Sequence, residues 1–174
     1  MDNSVNVLVE RICGEFVRSM KLIEETSDET YTARSEKSGS IGAHFRHNID
    51  FVNNFLQGIE SGKIDYNIRE RDVRIETNRH YAIERTAEAI EKLSSLSDES
   101  LGAGVLVRSE VDERIFHQSS VLRELEFLHS HTIHHYAIVA EKLRDAAIEI
   151  DFEFGVAPST LKFWSESRRD LLPA

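Results

Sequence analysis

The stretch from about Ser120 to Ile148 carries the longest unbroken helical periodicity in the chain, with four of the eight histidines in its middle, His129-Ser-His131-Thr-Ile-His134-His135. A helix of that length in a globular protein must bury one face against partners of comparable length, which points to a bundle. Residues four apart stack on the same helical face, so His131 and His135 can direct both imidazoles at one ion.

Three further stretches supply the partners. The first helix is expected to start near Ser4 and to carry Val5, Leu8, Val9, Ile12, Phe16, Met20 and Ile23 at three and four spacing, ending in the polar run TSDETYTARSEKSGS. The second follows Ser40, a suitable N-cap, and stops at Gly62. The segment KIDYNIRERDVRIETN has no helical stripe and reads as an irregular crossover. Asn78 caps a third helix through about Ser94, with Tyr81, Ile83, Ala87, Ile90 and Leu93 expected to face inward. VLVRSEVDERIFHQSS is rich in β-branched residues and reads as a small hairpin or a strand-like loop, and the tail after Ile148 opens with a Gly and Pro break. Four helices with one long crossover predict an all-α four-helix bundle, and 174 residues fit a single domain, 1–174.

Composition agrees with that class and excludes others. Only 8 glycines and 2 prolines among 174 residues suit a helix-rich fold rather than a many-turned β one. The formal charge of -10 lacks the basic footprint of a nucleic-acid binder. No apolar run approaches the roughly 20 residues of a membrane span. The amino terminus lacks the basic start and apolar core of a signal peptide, so a cytoplasmic location is expected. The single cysteine, Cys13, lies in an amphipathic stretch and reads as a small buried hydrophobe.

On a wheel of about 100° per residue centred on His135, Val121, Glu124, Leu128, His131, Ile138 and Val139 fall within about 60°. His134 and His129 fall about 100° and 120° away on the same wheel, at the edge or surface. Two neighbouring imidazoles on a partly apolar face need a shared partner, either an ion or a carboxylate. The second helix offers a third ligand from His44-Phe-Arg-His47. The apolar centre of that helix is Phe45, Ile49, Val52 and Leu56, with His47 nearly opposite and His44 nearer the apolar arc, and periodicity does not choose between them. Three neutral imidazoles suit Zn, Ni or Fe(II) and leave coordination positions for water or substrate, as in catalytic rather than structural sites.

Two segments, SIGAHFRHNIDF and FLHSHTIHHYAIVAEKLR, resemble the DinB/YfiT-like superfamily of metal-dependent four-helix-bundle proteins. Its signature is a Ser or Thr at the start of the second helix, a ligand histidine seven residues later, and an HxxxH pair on the last bundle helix. By that count Ser40 leads to His47, so the resemblance implies His47, His131 and His135 as metal ligands. Many members continue HxxxHRxQ, whereas here Tyr136 and Ala137 follow His135. IDYNIRERDVRIETN and the tail FGVAPSTLKFW are similar to a DinB-like subgroup. Members of known activity include transferases using low-molecular-weight bacterial thiols and a thiol-dependent maleylpyruvate isomerase.

The resemblance thus implies a metal-dependent enzyme acting on a small molecule by thiol transfer or hydrolysis, with a low-molecular-weight thiol as a candidate second cofactor. Glu124, on the histidine face, is a candidate catalytic base or orienting acceptor. Arg69, Arg71 and Arg74 are candidate anion binders, and the Trp164 region is either a lid or packing. The apolar residues of the second helix exceed what one bundle face requires, so a homodimer is expected. Two readings compete: a non-catalytic dimeric bundle with a structural or incidental metal, acting as a binding module, and a metal-free protein whose histidines pair with Asp50 or Glu124.

Overall fold

Three of the long helices begin where a short oxygen-bearing side chain satisfies a free amide. Ser40 Oγ accepts from the Ala43 N–H at 3.0 Å, Asn78 Oδ1 from Tyr81 at 3.1 Å and Ser120 Oγ from Arg123 at 3.2 Å. Ser40 and Asn78 are caps expected from the sequence, and Ser120, expected only as the start of its helix, caps it as well. The computed structural model describes residues 4–34 and 38–169. The expectations for residues 35–37, 170–174 and the side chain of Val5 lie outside the described residues.

Helix α1 (Ser4–Glu24) leads to a one-turn α2 (Asp28–Thr32), then α3 (Ile41–Ser61), which ends at Gly62 in the left-handed conformation with φ 71°. Next come β1 (Lys63–Ile64), α4 (Val73–Thr77), α5 (Arg79–Ser94) and α6 (Asp98–Leu101). A hairpin of β2 (Gly104–Arg108) and β3 (Phe116–Ser120) runs directly into α7 (Val121–Asp145), and α8 (Pro158–Arg169) closes the described chain. Of the hairpin and the strand-like loop that the sequence left open, the chain forms the antiparallel hairpin, and β1 adds to it in parallel with Lys63 opposite Leu106. The crossover after α3 is therefore less irregular than expected, since it contains a strand and a turn of helix.

The bundle consists of α1, α3, α5 and α7. Helix α1 packs on α5 and α7, and α3 packs on the same two, so α1 and α3 occupy opposite corners. Phe16, Phe45, Phe55, Tyr136 and Phe154 are among the side chains sealed in the core. Tyr31 of α2 is fully buried as well, its hydroxyl donating to the Ile75 carbonyl at 2.7 Å, so part of the polar run after α1 is an anchored element. Cys13 is buried, with its sulfur 3.6 Å from Ser94 Oγ.

Two expectations are corrected. Helix α5 turns Ala82, Thr86, Ala89 and Leu93 inward, while Tyr81, Ile83 and Ile90 are only partly covered and Ala87 is exposed. Small side chains on that face let α5 lie close to its neighbours, and the larger residues flank the contact. His129 is buried at 5% exposure, not at the surface, because α7 also packs on α1. The surplus of apolar residues on α3 is covered within the chain, by α4 and β1. The feature that pointed to a partner subunit thus has an intramolecular explanation.

Candidate metal centre

The site lies where α3 crosses α7. The Ser40 cap starts α3 so that His44 and His47, three apart, both look toward α7, which presents His131 and His135. His47 Nε2 and His131 Nε2 are 3.1 Å apart, and His44 Nδ1 and His135 Nδ1 are 2.9 Å apart. The His47 and His135 rings are in edge contact, 4.4 Å between centroids. One ligand atom from each of His47, His131 and His135 falls within a 4.8 Å group. The two histidines that periodicity could not separate are thus both at the site: His47 completes the converging set, and His44 backs His135.

Aromatic packing holds the rings in place. Phe51, one turn beyond His47, stacks on His131 with centroids 3.8 Å apart and planes 11° from parallel. Tyr66, from the loop after β1, stacks on the other side of that assembly at 5.0 Å from Phe51. Tyr136 faces away into the core, its hydroxyl 2.8 Å from Ser19 Oγ. The position that is arginine in many resembling sequences therefore serves packing here.

Burial is the main cause that depresses all four imidazole pKa values. His44 and His47 are pushed down to about 4, His131 to about 3 and His135 to about 2, with the neighbouring cationic forms and, for His47 and His131, Arg69 adding to the effect. At neutral pH the four rings are uncharged, each with one lone-pair nitrogen and one N–H. Two of their buried nitrogens, His44 Nε2 and His131 Nδ1, have no hydrogen-bond partner among the described residues. Nitrogens sharing a tetrahedral zinc lie about 3.3 Å apart, close to the His47 to His131 separation. The donor set, its neutrality and its spacing fit a divalent ion of the Zn, Ni or Fe(II) kind.

The carboxylates behave differently from the metal-free reading. Asp50 Oδ1 accepts from the Arg71 N–H at 3.4 Å, and Glu124 accepts from Ser119 Oγ at 2.6 Å and from the Tyr66 hydroxyl at 3.2 Å. Among the described residues neither makes a hydrogen bond to a histidine. Glu124 reaches the cluster only through the Tyr66, Phe51 and His131 stack. It also lines a cavity of about 470 Å³ with Arg108, His117, Arg123 and Phe127.

Of the three candidate anion binders, only Arg69 touches the cluster, with Nη1 3.2 Å from His47 Nδ1. Arg74 is held by Asp72 at 2.7 Å, and Arg71 contributes its backbone N–H to Asp50. The sequence ranked these three equally, because a loop arginine has no periodicity to orient it. Trp164 and Phe163 on α8 are 39% and 64% exposed.

A family model described as the DinB superfamily matches residues 17–139, which takes in both histidine segments. The chain belongs to the DinB superfamily. A DinB-like protein, YjoA from Bacillus subtilis, superposes with a TM-score of 0.63 over 86% of this chain and 99% of its own, at 18% identity, a likeness of fold. FK506-binding protein 5 of Rhizopus delemar is 31% identical over 103 residues, 57% of this chain and 27% of that protein. The DinB-type chain thus spans little more than a quarter of that relative. No helix among the described residues is long and apolar enough to cross a membrane.

Proposed function

We propose that this DinB superfamily member is a metal-dependent enzyme acting on a small molecule, with His47, His131 and His135 holding a divalent ion. The observation that carries the reading is the convergence of three neutral imidazoles from two helices within one 4.8 Å group. Three protein ligands without a charged one leave an ion with open positions and undiminished Lewis acidity, which would lower the pKa of a thiol or of water. Thiol transfer and hydrolysis both draw on that chemistry.

The chain's own residues have definable parts. His44 accepts from or donates to His135 Nδ1 and so fixes that ring's orientation. Phe51 fixes His131 by stacking and shields that side of the site from water. Glu124, buried beside the 470 Å³ cavity, is the candidate base, with Tyr66 between it and the histidines.

The test is a screen of metal-loaded and chelated protein against low-molecular-weight thiols with electrophilic acceptors, and against esters and amides. Metal-dependent thiol loss or product release supports the enzyme. Full metal occupancy with no turnover in either screen would favour the binding module instead.

A further inference from the structure

Arg69 carries an implication for what binds at this site, and it rests on the three-histidine reading above. A guanidinium can only donate, so the 3.2 Å contact makes His47 Nδ1 an acceptor. The N–H of the neutral ring then sits on Nε2 and donates across 3.1 Å to His131 Nε2. His131 in turn carries its N–H on Nδ1, the buried nitrogen without a partner. His131 already has its Nε2 lone pair in the form an ion requires. His47 does not.

If Nε2 of His47 takes an ion, its proton must reside on Nδ1, where it would face the N–H of Arg69, donor against donor. If Nδ1 takes the ion instead, Arg69 stands in the way. Either arrangement requires the guanidinium to leave His47. Its remaining tethers are weak: Nε lies 3.4 Å from the Tyr66 carbonyl, and the guanidinium lies 5.3 Å from the Phe51 ring centroid. Arg34, Arg46, Arg74, Arg79, Arg85, Arg108 and Arg114 each form an ion pair with a carboxylate, but among the described residues Arg69 forms none. Asp50 feels its charge without touching it.

We infer that Arg69 closes the metal-free site by holding His47 and, once displaced by the ion, becomes the receptor for a substrate carboxylate at the ion's open face. A divalent ion on three neutral ligands beside an unpaired guanidinium leaves a strong local excess of positive charge. A carboxylate matches the guanidinium fork with two coplanar oxygens and a single charge. The substrate class this selects is a small carboxylic acid.

Cobalt(II) binding, followed by its visible spectrum, tests both halves using the full chain. Titrations are run in buffer free of carboxylate and phosphate, on wild type, Arg69→Met and Arg69→Lys, with circular dichroism confirming the helical fold. Arg69→Met should bind cobalt about tenfold or more tightly than wild type, because one charge-assisted hydrogen bond no longer opposes the ion. Acetate added to the cobalt-loaded proteins should then bind at least about tenfold more weakly to Arg69→Met than to wild type. Arg69→Lys should fall between them, and it carries the test if the methionine variant does not fold. Equal cobalt and acetate affinities in wild type and variants would overturn the role of Arg69 while leaving the metal site standing. Failure of wild type to bind cobalt at all would remove the metal site and this inference with it.

Discussion

Nε2 of His47 lies 3.1 Å from Nε2 of His131, joining residues 84 positions apart across the α3 to α7 contact. Neither ring has a carboxylate partner among the described residues, and burial lowers the pKa of both. The two nitrogens share one proton across that contact, and a cation bound between them would take its place. The proposed function follows from that juxtaposition.

Acid should destabilise the protein through these rings. In the folded state the imidazoles titrate at about 4 or below, whereas in the unfolded chain they titrate near 6.5. Between those values the unfolded state binds more protons, so the stability they contribute is fully present above about pH 6.5 and is lost progressively as pH falls through the folded-state values of about 4 to about 2. Metal-free protein should show a melting temperature that declines steadily from pH 7 to pH 4.5. Replacing His44 and His135 by Gln should flatten that decline. A slope unchanged by the double substitution would mean that other groups set the acid sensitivity.

Gly155→Ala should be strongly destabilising. Gly155 has φ 74°, and a Cβ there would sit 2.6 Å from the Ala137 backbone nitrogen. Left-handed strain and overpacking together come to about 2–5 kcal/mol. The next residue back, Phe154, stacks on Tyr136 at 5.1 Å, so the strap that Gly155 permits also supports the turn of α7 carrying His135. Thermal unfolding should show a drop on the order of 5 °C or more. A drop of under a degree would show that the strap is not needed.

Glu124→Gln separates a catalytic role from a ligand role. Its carboxylate is engaged by Tyr66 and Ser119, not by a histidine, so the variant should keep the wild-type metal content. If Glu124 is the base, turnover in any assay that detects activity should fall by about a hundredfold or more while substrate affinity changes little. Loss of metal in Glu124→Gln would instead assign the carboxylate to the ion.

Much of this arrangement is legible in the sequence because helix ends and helix faces obey local rules. Ser40, Gly62 and Asn78 mark their boundaries by capping chemistry alone, and i to i+4 spacing pairs His131 with His135. What escaped was set by packing between elements. Ala82 and Ala89 face inward because close approach, not side-chain size, decides that contact. His129 is buried because α7 has partners on two sides. Strand β1 is two residues long and has no pattern of its own. The choice between His44 and His47 depended on how α3 rotates against α7, and Arg69 on how a loop folds back; neither rotation nor loop path is written in periodicity.

The central claim is tested most directly by elemental analysis of protein purified without an affinity tag, after reconstitution, alongside His47→Ala, His131→Ala and His135→Ala. The account predicts about one Zn, Ni or Fe per wild-type chain and its loss in each variant, with the helical circular dichroism signal retained. Full metal content in the three variants, or none in wild type, would contradict it.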